Sequence, residues 1–220
     1  MVKLLINKGV DLTSAPVKVP HLPGHDECHV KYRQTPYIIY AACHGNLEIV
    51  RHLEKAGCDI NDVGHICLSK RRQNSVAGNI ICAAAFHGNK EVLEYCLGRI
   101  NQSAVDLKVM ETADRNAAKS GPFKTEYNDF TVLQLALVTP NQSVGTVKAL
   151  FGRDVNQSVT ENSTGNNILH LAAKYSTNIE VLEYVVKNAR LDIFARNNEG
   201  DTALTLCQSV GNADGVAIIN

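Results

Sequence analysis

Residues 35–61 read TPYIIYAACHGNLEIVRHLEKAGCDIN, and this stretch decides the fold. The small side chains of Ala41 and Ala42 let two helices approach closely. Gly45 follows at the point where a short helix would end in a left-handed residue. Beyond this glycine the apolar residues recur at helical spacing, at Leu47, Ile49, Val50 and Leu53. The stretch therefore predicts two short helices joined by a tight turn.

The same frame recurs along the chain. Residues 79–97 read NIICAAAFHGNKEVLEYCL, in which Gly88 occupies the helix-ending place of Gly45. The frame returns as NILHLAA at 167–173 and IEVLEYVV at 179–186. Weaker copies begin with TVLQLA at 131–136 and TALTLC at 202–207. One such helix pair has too little core to be stable alone and must stack on its neighbours. The repetition therefore predicts a solenoid.

These units resemble the ankyrin repeat family, whose repeats read T-P-L-H-x-A-A, then a glycine, a second short helix and G-x-D-[VI]-N. The chain departs from this pattern in three ways. Thr35-Pro36 stands one residue early, Gly78-Asn79 replaces Thr-Pro, and only His170 keeps the motif histidine. The resemblance implies an all-α solenoid of stacked helix-turn-helix units, about six in number, with the first and last partial.

We expect a single ankyrin-repeat domain over residues 1–220, as a segment of a longer solenoid. Residues 2–9 match a second helix with no first helix before it, and residues 215–220 begin a second helix and stop inside it. Long insertions are expected near 13–33, 63–78 and 102–128, with β-structure confined to finger hairpins. The predicted helices are 2–7, 38–44, 47–55, 80–87, 90–97, 132–138, 144–151, 168–175, 179–187 and 203–209.

The composition excludes several classes of protein. The chain has 22 basic and 22 acidic residues, and this balance does not indicate a nucleic-acid partner. No apolar run approaches the roughly 20 residues that a membrane span requires, so we expect no membrane insertion. Seven cysteines without a CxxC pair favour reduced thiols. We therefore expect a cytoplasmic protein, with the nucleus as the alternative.

Histidines and a cysteine cluster in the first insertion, at His21, His25, Cys28 and His29. Imidazole and thiolate groups at this density could hold zinc. However, no second Cys/His pair at zinc-finger spacing follows, and the acidic neighbours keep the segment polar without a metal. His65 and Cys67 in the second insertion would complete a site if the insertions touch. Common catalytic and nucleotide-binding motifs are also lacking, so we expect no metal and no cofactor.

The resemblance also implies a partner-binding surface. In ankyrin proteins, the residues after the Ala-Ala pair and at the finger tips face a concave groove. The groove positions here are Cys43, His44, Phe86, His87, Val138, Thr139, Lys174, Tyr175, Ser209 and Val210. The finger positions are Ser163, Thr164, Asn166, Asn198, Glu199 and Asp201. Phe86 and Tyr175 are candidate aromatic anchors for a partner, and their alternative role is packing beneath a finger.

Two function classes follow from this surface. The first is a non-enzymatic scaffold or adaptor that binds a protein partner through the groove and the fingers. The second is the regulatory or targeting arm of a larger enzyme, channel or multi-subunit complex, whose other subunits would then be partners. The identity of the partner does not follow from the fold.

Overall fold

The structure is a computed structural model, and it describes residues 36–67, 75–111, 129–153 and 155–220. Short helices dominate these residues. The helices are α1 (Tyr37–Cys43), α2 (Leu47–Lys55), α3 (Ile80–Phe86), α4 (Lys90–Leu97), α5 (Gln102–Val105), α6 (Val132–Val138), α7 (Val144–Phe151), α8 (Ile168–Tyr175), α9 (Ile179–Asn188), α10 (Ala203–Ser209) and α11 (Ala213–Ile219). The strands are β1 (Val63–Cys67), β2 (Ser75–Asn79) and β3 (Met110–Glu111).

The helices form two parallel layers. In the first layer, α1, α3, α6, α8 and α10 contact one another in that order. In the second layer, α2, α4, α7, α9 and α11 do the same. Each first-layer helix also packs against the second-layer helix that follows it in the sequence. This arrangement is a solenoid of five helix pairs within the described residues, and it confirms the predicted fold class.

Most predicted helix boundaries agree with the structure. Six helices have the predicted limits: α2, α4, α6, α7, α8 and α10. The others differ by one residue at an end: α1 begins and ends one residue early, α3 ends one early, and α9 ends one later. The sequence did not predict α5, and α11 begins at Ala213, before the expected residue 215. The helix predicted at 2–7 lies outside the described residues.

Polar residues at the N-cap begin four of the five first-layer helices. At α6, the Thr131 hydroxyl accepts the Gln134 backbone N–H at 3.3 Å, and Gln134 Oε1 accepts the Thr131 N–H at 2.8 Å. Reciprocal boxes of this kind also begin α8 and α10. Asn79 caps α3 by accepting the Cys82 N–H at 3.1 Å. Each cap satisfies backbone donors that a helix start would otherwise leave unpaired.

Glycine ends the first helix of three repeats, at Gly45, Gly88 and Gly211. Their φ angles are +68°, +70° and +72°, in the left-handed region that glycine adopts without steric cost. This confirms the expectation for Gly45 and Gly88. Gly88 is further constrained, because a Cβ atom there would overlap the carbonyl oxygen of Asn141 in the next repeat. The turn therefore reverses the chain and also lets neighbouring repeats approach.

A three-stranded antiparallel sheet lies beside the helices, in the order β1-β2-β3. β1 and β2 form a hairpin in which Ile66 lies opposite Val76, and both side chains are fully buried. The sheet contacts α1 and α3. The second predicted insertion is therefore a finger hairpin that packs onto the repeats.

The prediction that β-structure is confined to finger hairpins is wrong in one respect. β3 comes from the third insertion and pairs with β2, with Ala77 opposite Met110. The reason lies at the base of that insertion. The Val109 N–H donates to Phe130 O, and the Asp129 N–H donates to Val109 O, each at 2.9 Å. These bonds hold the residues after Val109 in an extended path beside β2, so the two insertions touch.

Candidate functional site

The predicted groove is open at its N-terminal end. Cys43 is half-buried and His44 is exposed, at the end of α1. The Tyr40 ring packs against the His44 ring, with their centroids 4.5 Å apart. A half-buried tyrosine and an exposed histidine in contact form a small amphipathic surface, of the kind that interfaces use.

The middle of the groove is closed. Every residue of α3 and of α6 is buried. Phe86 is only 2% exposed, Val138 6% and Thr139 1%. The Thr139 hydroxyl donates a hydrogen bond to the Phe86 carbonyl oxygen, which joins the ends of the two helices. Only His87 of these four groove positions is partly accessible.

The prediction that Phe86, Val138 and Thr139 face a partner is therefore wrong. Each of these side chains lies inside the protein. α3 is packed between α1 and α6 and is also contacted by β1 and β2, and α6 is packed between α3 and α8. Phe86 plays the alternative role, as a core side chain. An aromatic residue surrounded in this way contributes to stability and leaves no surface for a partner.

The groove is open again at its C-terminal end. Lys174 is exposed and Tyr175 is half-buried, at the end of α8. The Lys174 Nζ lies 5.3 Å from the centre of the Tyr175 ring, within the range of a cation–π contact. Ser209 and Val210 at the end of α10 are exposed, and the Ser209 hydroxyl donates to Leu206 O at 2.9 Å.

The side chain of Gln142 fixes the position of this C-terminal end. Its Nε2 donates to the carbonyl oxygen of Tyr175 at 3.1 Å. Its Oε1 accepts the backbone N–H groups of Thr177 and Asn178, at 3.0 and 3.2 Å. One amide from the preceding repeat thus satisfies three backbone groups at a turn that has no glycine. The Lys174–Tyr175 surface is therefore held in place before any partner binds.

The finger between α9 and α10 is also fixed. Nε2 of His170 lies 3.1 Å from Ala195 O and 3.0 Å from Asp201 O, so it carries a proton and donates to these carbonyls across the finger. The Asn198 N–H donates to Thr164 O at 2.9 Å, which ties this finger to the preceding one. At the tip, Asn198 and Glu199 are exposed.

The remaining predicted finger residues differ in how exposed they are. Ser163 is exposed, whereas Thr164 and Asp201 are half-buried. Asn166 is 1% exposed, and its Oδ1 accepts a hydrogen bond from Asn197 Nδ2 at 2.9 Å. Asn166 therefore joins two fingers and is not available to a partner.

One exposed residue was missed by the sequence analysis. Phe194 is 78% exposed, the largest value among the exposed large apolar side chains of the described residues. It follows Asp192-Ile193, just as Asn61 follows Asp59-Ile60 in the first complete repeat. The signal available in the sequence was that an aromatic residue occupies a position that is polar in another repeat.

The thiols of Cys82 and Cys96 are fully buried. Burial raises the pKa of the Cys82 thiol to about 12, and the same cause raises the pKa of Cys96 to about 12. Both thiols are therefore neutral and unreactive at physiological pH. Across the four described segments, no group of three or more His, Cys, Asp or Glu residues could hold a metal ion. His21, His25, Cys28 and His29 lie outside these segments.

Two matches to family models identify the repeats. Residues 32–65 match the ankyrin repeat, and residues 133–219 match a model of ankyrin repeats in three copies. Together these matches span more than half of the chain, so the protein belongs to the ankyrin-repeat family. Between them, the structure adds the α3–α4 pair and the sheet. No curated protein matches the chain at a significant level.

The family assignment gives a general function. Ankyrin repeats are generally protein–protein interaction modules, because a rigid stack presents an extended surface. None of the helices in the described part of the chain is both long and apolar enough to cross a membrane.

Proposed function

We propose that this protein is a non-enzymatic adaptor that binds a protein partner through the open ends of its groove and the adjacent fingers. The observation that carries the proposal is the contrast along the first helix layer. Its centre is buried, whereas Lys174 and Tyr175 are accessible and held in place by Gln142. A pre-positioned surface loses little entropy when a partner binds.

The proposed surface has three parts. The first is the end of α1, with Cys43 and His44. The second is the end of α8 and α10, with Lys174, Tyr175 and Ser209. The third is the finger tip, with Asn198 and Glu199. His87 lies between the first two parts and is the only predicted central position that adds to them.

A protein is the partner that this surface favours. Lys174, Glu199 and the neutral polar residues between them give both signs of charge and no continuous basic stripe, which a nucleic acid would require. We further propose that the repeats act as a single binding domain, since successive helix pairs contact each other in both layers. A subunit of a larger assembly would satisfy these requirements as well as a free protein would.

The experiment begins with cross-linking of the full chain in an extract of its own cells, followed by purification of the linked protein. Its affinity is then measured for three variants: Tyr175→Ala, Lys174→Glu and Lys187→Glu. Lys187 is the matched control, because it is also an exposed lysine, lies on the second helix layer and forms a surface ion pair with Glu183.

We expect Tyr175→Ala and Lys174→Glu to weaken binding by about 1–3 kcal/mol and Lys187→Glu to leave it unchanged. Equal effects of the two lysine reversals would indicate a general charge effect and contradict the proposed surface. If no protein is cross-linked reproducibly to the chain, the proposed function itself is wrong.

A further inference from the structure

Phe194 stands on a tight turn that begins the finger between α9 and α10. The Asp192 carboxylate accepts the Phe194 N–H at 2.9 Å, and the Ala195 N–H donates to Asp192 O at 3.1 Å. These two bonds define a β-turn over residues 192–195 with an aspartate at its first position. Phe194 is the third residue of the turn, so its side chain leaves the protein at the bend.

The same turn occurs in the first complete repeat with a different side chain. There the Asp59 carboxylate accepts the Asn61 N–H at 2.8 Å, and the Asp62 N–H donates to Asp59 O at 3.2 Å. The exposed side chain at that position is the asparagine. The backbone of the turn therefore does not require an aromatic residue, and Phe194 needs another explanation.

Neighbouring repeats hold the Phe194 turn on both sides. Before the turn, the Arg190 N–H donates to Gln157 Oε1 at 3.2 Å. At the last residue of the turn, the Nε2–H group of His170 donates to Ala195 O at 3.1 Å. The backbone that carries the Phe194 ring is therefore fixed at both ends and loses little freedom when a partner binds. This is the condition under which an exposed aromatic side chain binds most efficiently.

Two arginines beside the turn favour acidic groups on the partner. Arg190 and Arg196 are both exposed, and neither forms an ion pair with any residue in the described part of the chain. Arg196 Nη1 donates to Gly200 O at 2.6 Å, and the other guanidinium donors remain for a partner. The same finger also carries carboxylates. Those of Asp192 and Asp201 accept hydrogen bonds within the protein, and Glu199 is exposed at the tip. The two guanidinium groups are therefore cations that lack an acidic partner within the described residues.

We propose that Phe194 is an anchor that inserts into an apolar pocket of the partner protein, and that the rim of this pocket carries Asp or Glu side chains facing Arg190 and Arg196. The proposal rests on the proposed function and names the chemistry of the partner. It also places binding energy at a residue outside the groove. Aromatic anchors in pockets, with charges at the rim, are the usual centres of protein interfaces.

The test uses the partner protein identified by cross-linking and the full chain with Phe194→Asn. This substitution introduces the side chain that the corresponding turn carries at Asn61, so the fold should be retained. The matched control is Asn61→Ala, at the corresponding turn. A third variant, Arg190→Gln with Arg196→Gln, removes the two cations and keeps polar groups in their place.

We expect Phe194→Asn to weaken binding about 10- to 100-fold and Asn61→Ala to change it less than about twofold. We also expect the double Gln variant to reduce the dependence of the affinity on salt concentration, because rim charges act through screened attraction. A photo-reactive phenylalanine analogue at position 194 should link to a partner segment containing acidic residues.

If the Phe194→Asn variant binds with unchanged affinity, Phe194 is not an anchor. The proposed function would still stand if Tyr175→Ala weakens binding. An unchanged salt dependence in the double Gln variant would overturn the acidic rim. If both the Phe194→Asn and the Tyr175→Ala variants bind normally, both proposals are contradicted.

Discussion

The Thr139 hydroxyl donates a hydrogen bond to the carbonyl oxygen of Phe86, and this bond joins the ends of two first-layer helices. It lies where an ankyrin groove would ordinarily be open to a partner. Because both residues are buried, the contact closes the centre of the surface and leaves its ends accessible. The centre of the first helix layer is thus enclosed, and its two ends are the parts that a partner can reach.

Substitution of Phe86 tests its place in the core. We expect Phe86→Ala to lower the free energy of unfolding by about 3–5 kcal/mol, because the variant loses a buried ring and leaves a cavity. Phe194→Ala, in contrast, should change it by less than about 0.5 kcal/mol, since that ring is already in water. Equilibrium unfolding in urea measures both. Similar values for the two variants would show that Phe86 is not a core residue.

Alanine substitutions of Gly88 and Gly211 separate the cost of backbone strain from the cost of steric crowding. The two glycines occupy the same position in different repeats, with φ of +70° and +72°. We expect Gly211→Ala to cost about 1 kcal/mol, the strain of a left-handed alanine, because its Cβ would have no atom within 4 Å. Gly88→Ala should cost about 1–3 kcal/mol more, because its Cβ would overlap Asn141 O.

The Gly88 comparison is also made by urea unfolding. Equal costs at the two positions would mean that the α3–α4 and α6–α7 repeats are not in the close contact described. A far larger cost at Gly211 would contradict the open space around that turn.

The buried thiols predict how stability depends on pH. Burial raises the pKa of Cys82 and Cys96 from 9.0 to about 12, so these thiols stay neutral in the folded protein while those of the unfolded chain ionise. The free energy of unfolding that these neutral thiols contribute is therefore fully present below pH 9 and is lost as the pH rises from 9 towards 12.

Urea unfolding at pH 8 and pH 10.5 tests this dependence. The wild-type protein should lose stability between the two values, and a Cys82→Ala, Cys96→Ala variant should lose less. The comparison cancels the ionisation of other groups. An identical loss in both proteins would show that the two thiols do not titrate differently in the folded and unfolded states.

A cation–π contact across repeats gives a further prediction. The Arg51 guanidinium lies 5.0 Å from the centre of the Tyr95 ring, which belongs to the next repeat. The equivalent positions two repeats later hold Lys148 and Tyr184, at 5.4 Å. A double-mutant cycle with Arg51→Ala and Tyr95→Leu should give a coupling energy of about 0.5–1 kcal/mol. Additive effects within 0.2 kcal/mol or so would show that the contact does not join the repeats.

The sequence predicted those features that depend on neighbouring residues. The limits of α6 were predicted from the repeat frame that begins at Thr131, and in the structure Thr131 and Gln134 cap the start of this helix locally. The end of α3, before Gly88, was predicted to within one residue. The pairing of β3 could not be predicted in this way. It joins Ala77 to Met110 and depends on how two insertions meet in space.

The candidate site was less accessible to sequence analysis, since exposure depends on what covers a side chain. Phe86 and Lys174 each come directly after an Ala-Ala pair, yet Phe86 is enclosed, with β1 and β2 against its helix, and Lys174 is exposed. The exposure of Phe194 likewise depends on the geometry of its turn. A comparison of the repeats would have shown only that an aromatic residue replaces Asn61.

Hydroxyl-radical footprinting of the protein, alone and with its cross-linked partner, tests the central claim most directly. That claim is that the partner binds at the open C-terminal end of the groove and its finger, and not at the centre. We expect Tyr175 and Phe194 to react in the free protein and to be protected in the complex, while Phe86 reacts slowly in both. Protection of the β1–β2 hairpin alone, with Tyr175 and Phe194 equally reactive in both states, would contradict it.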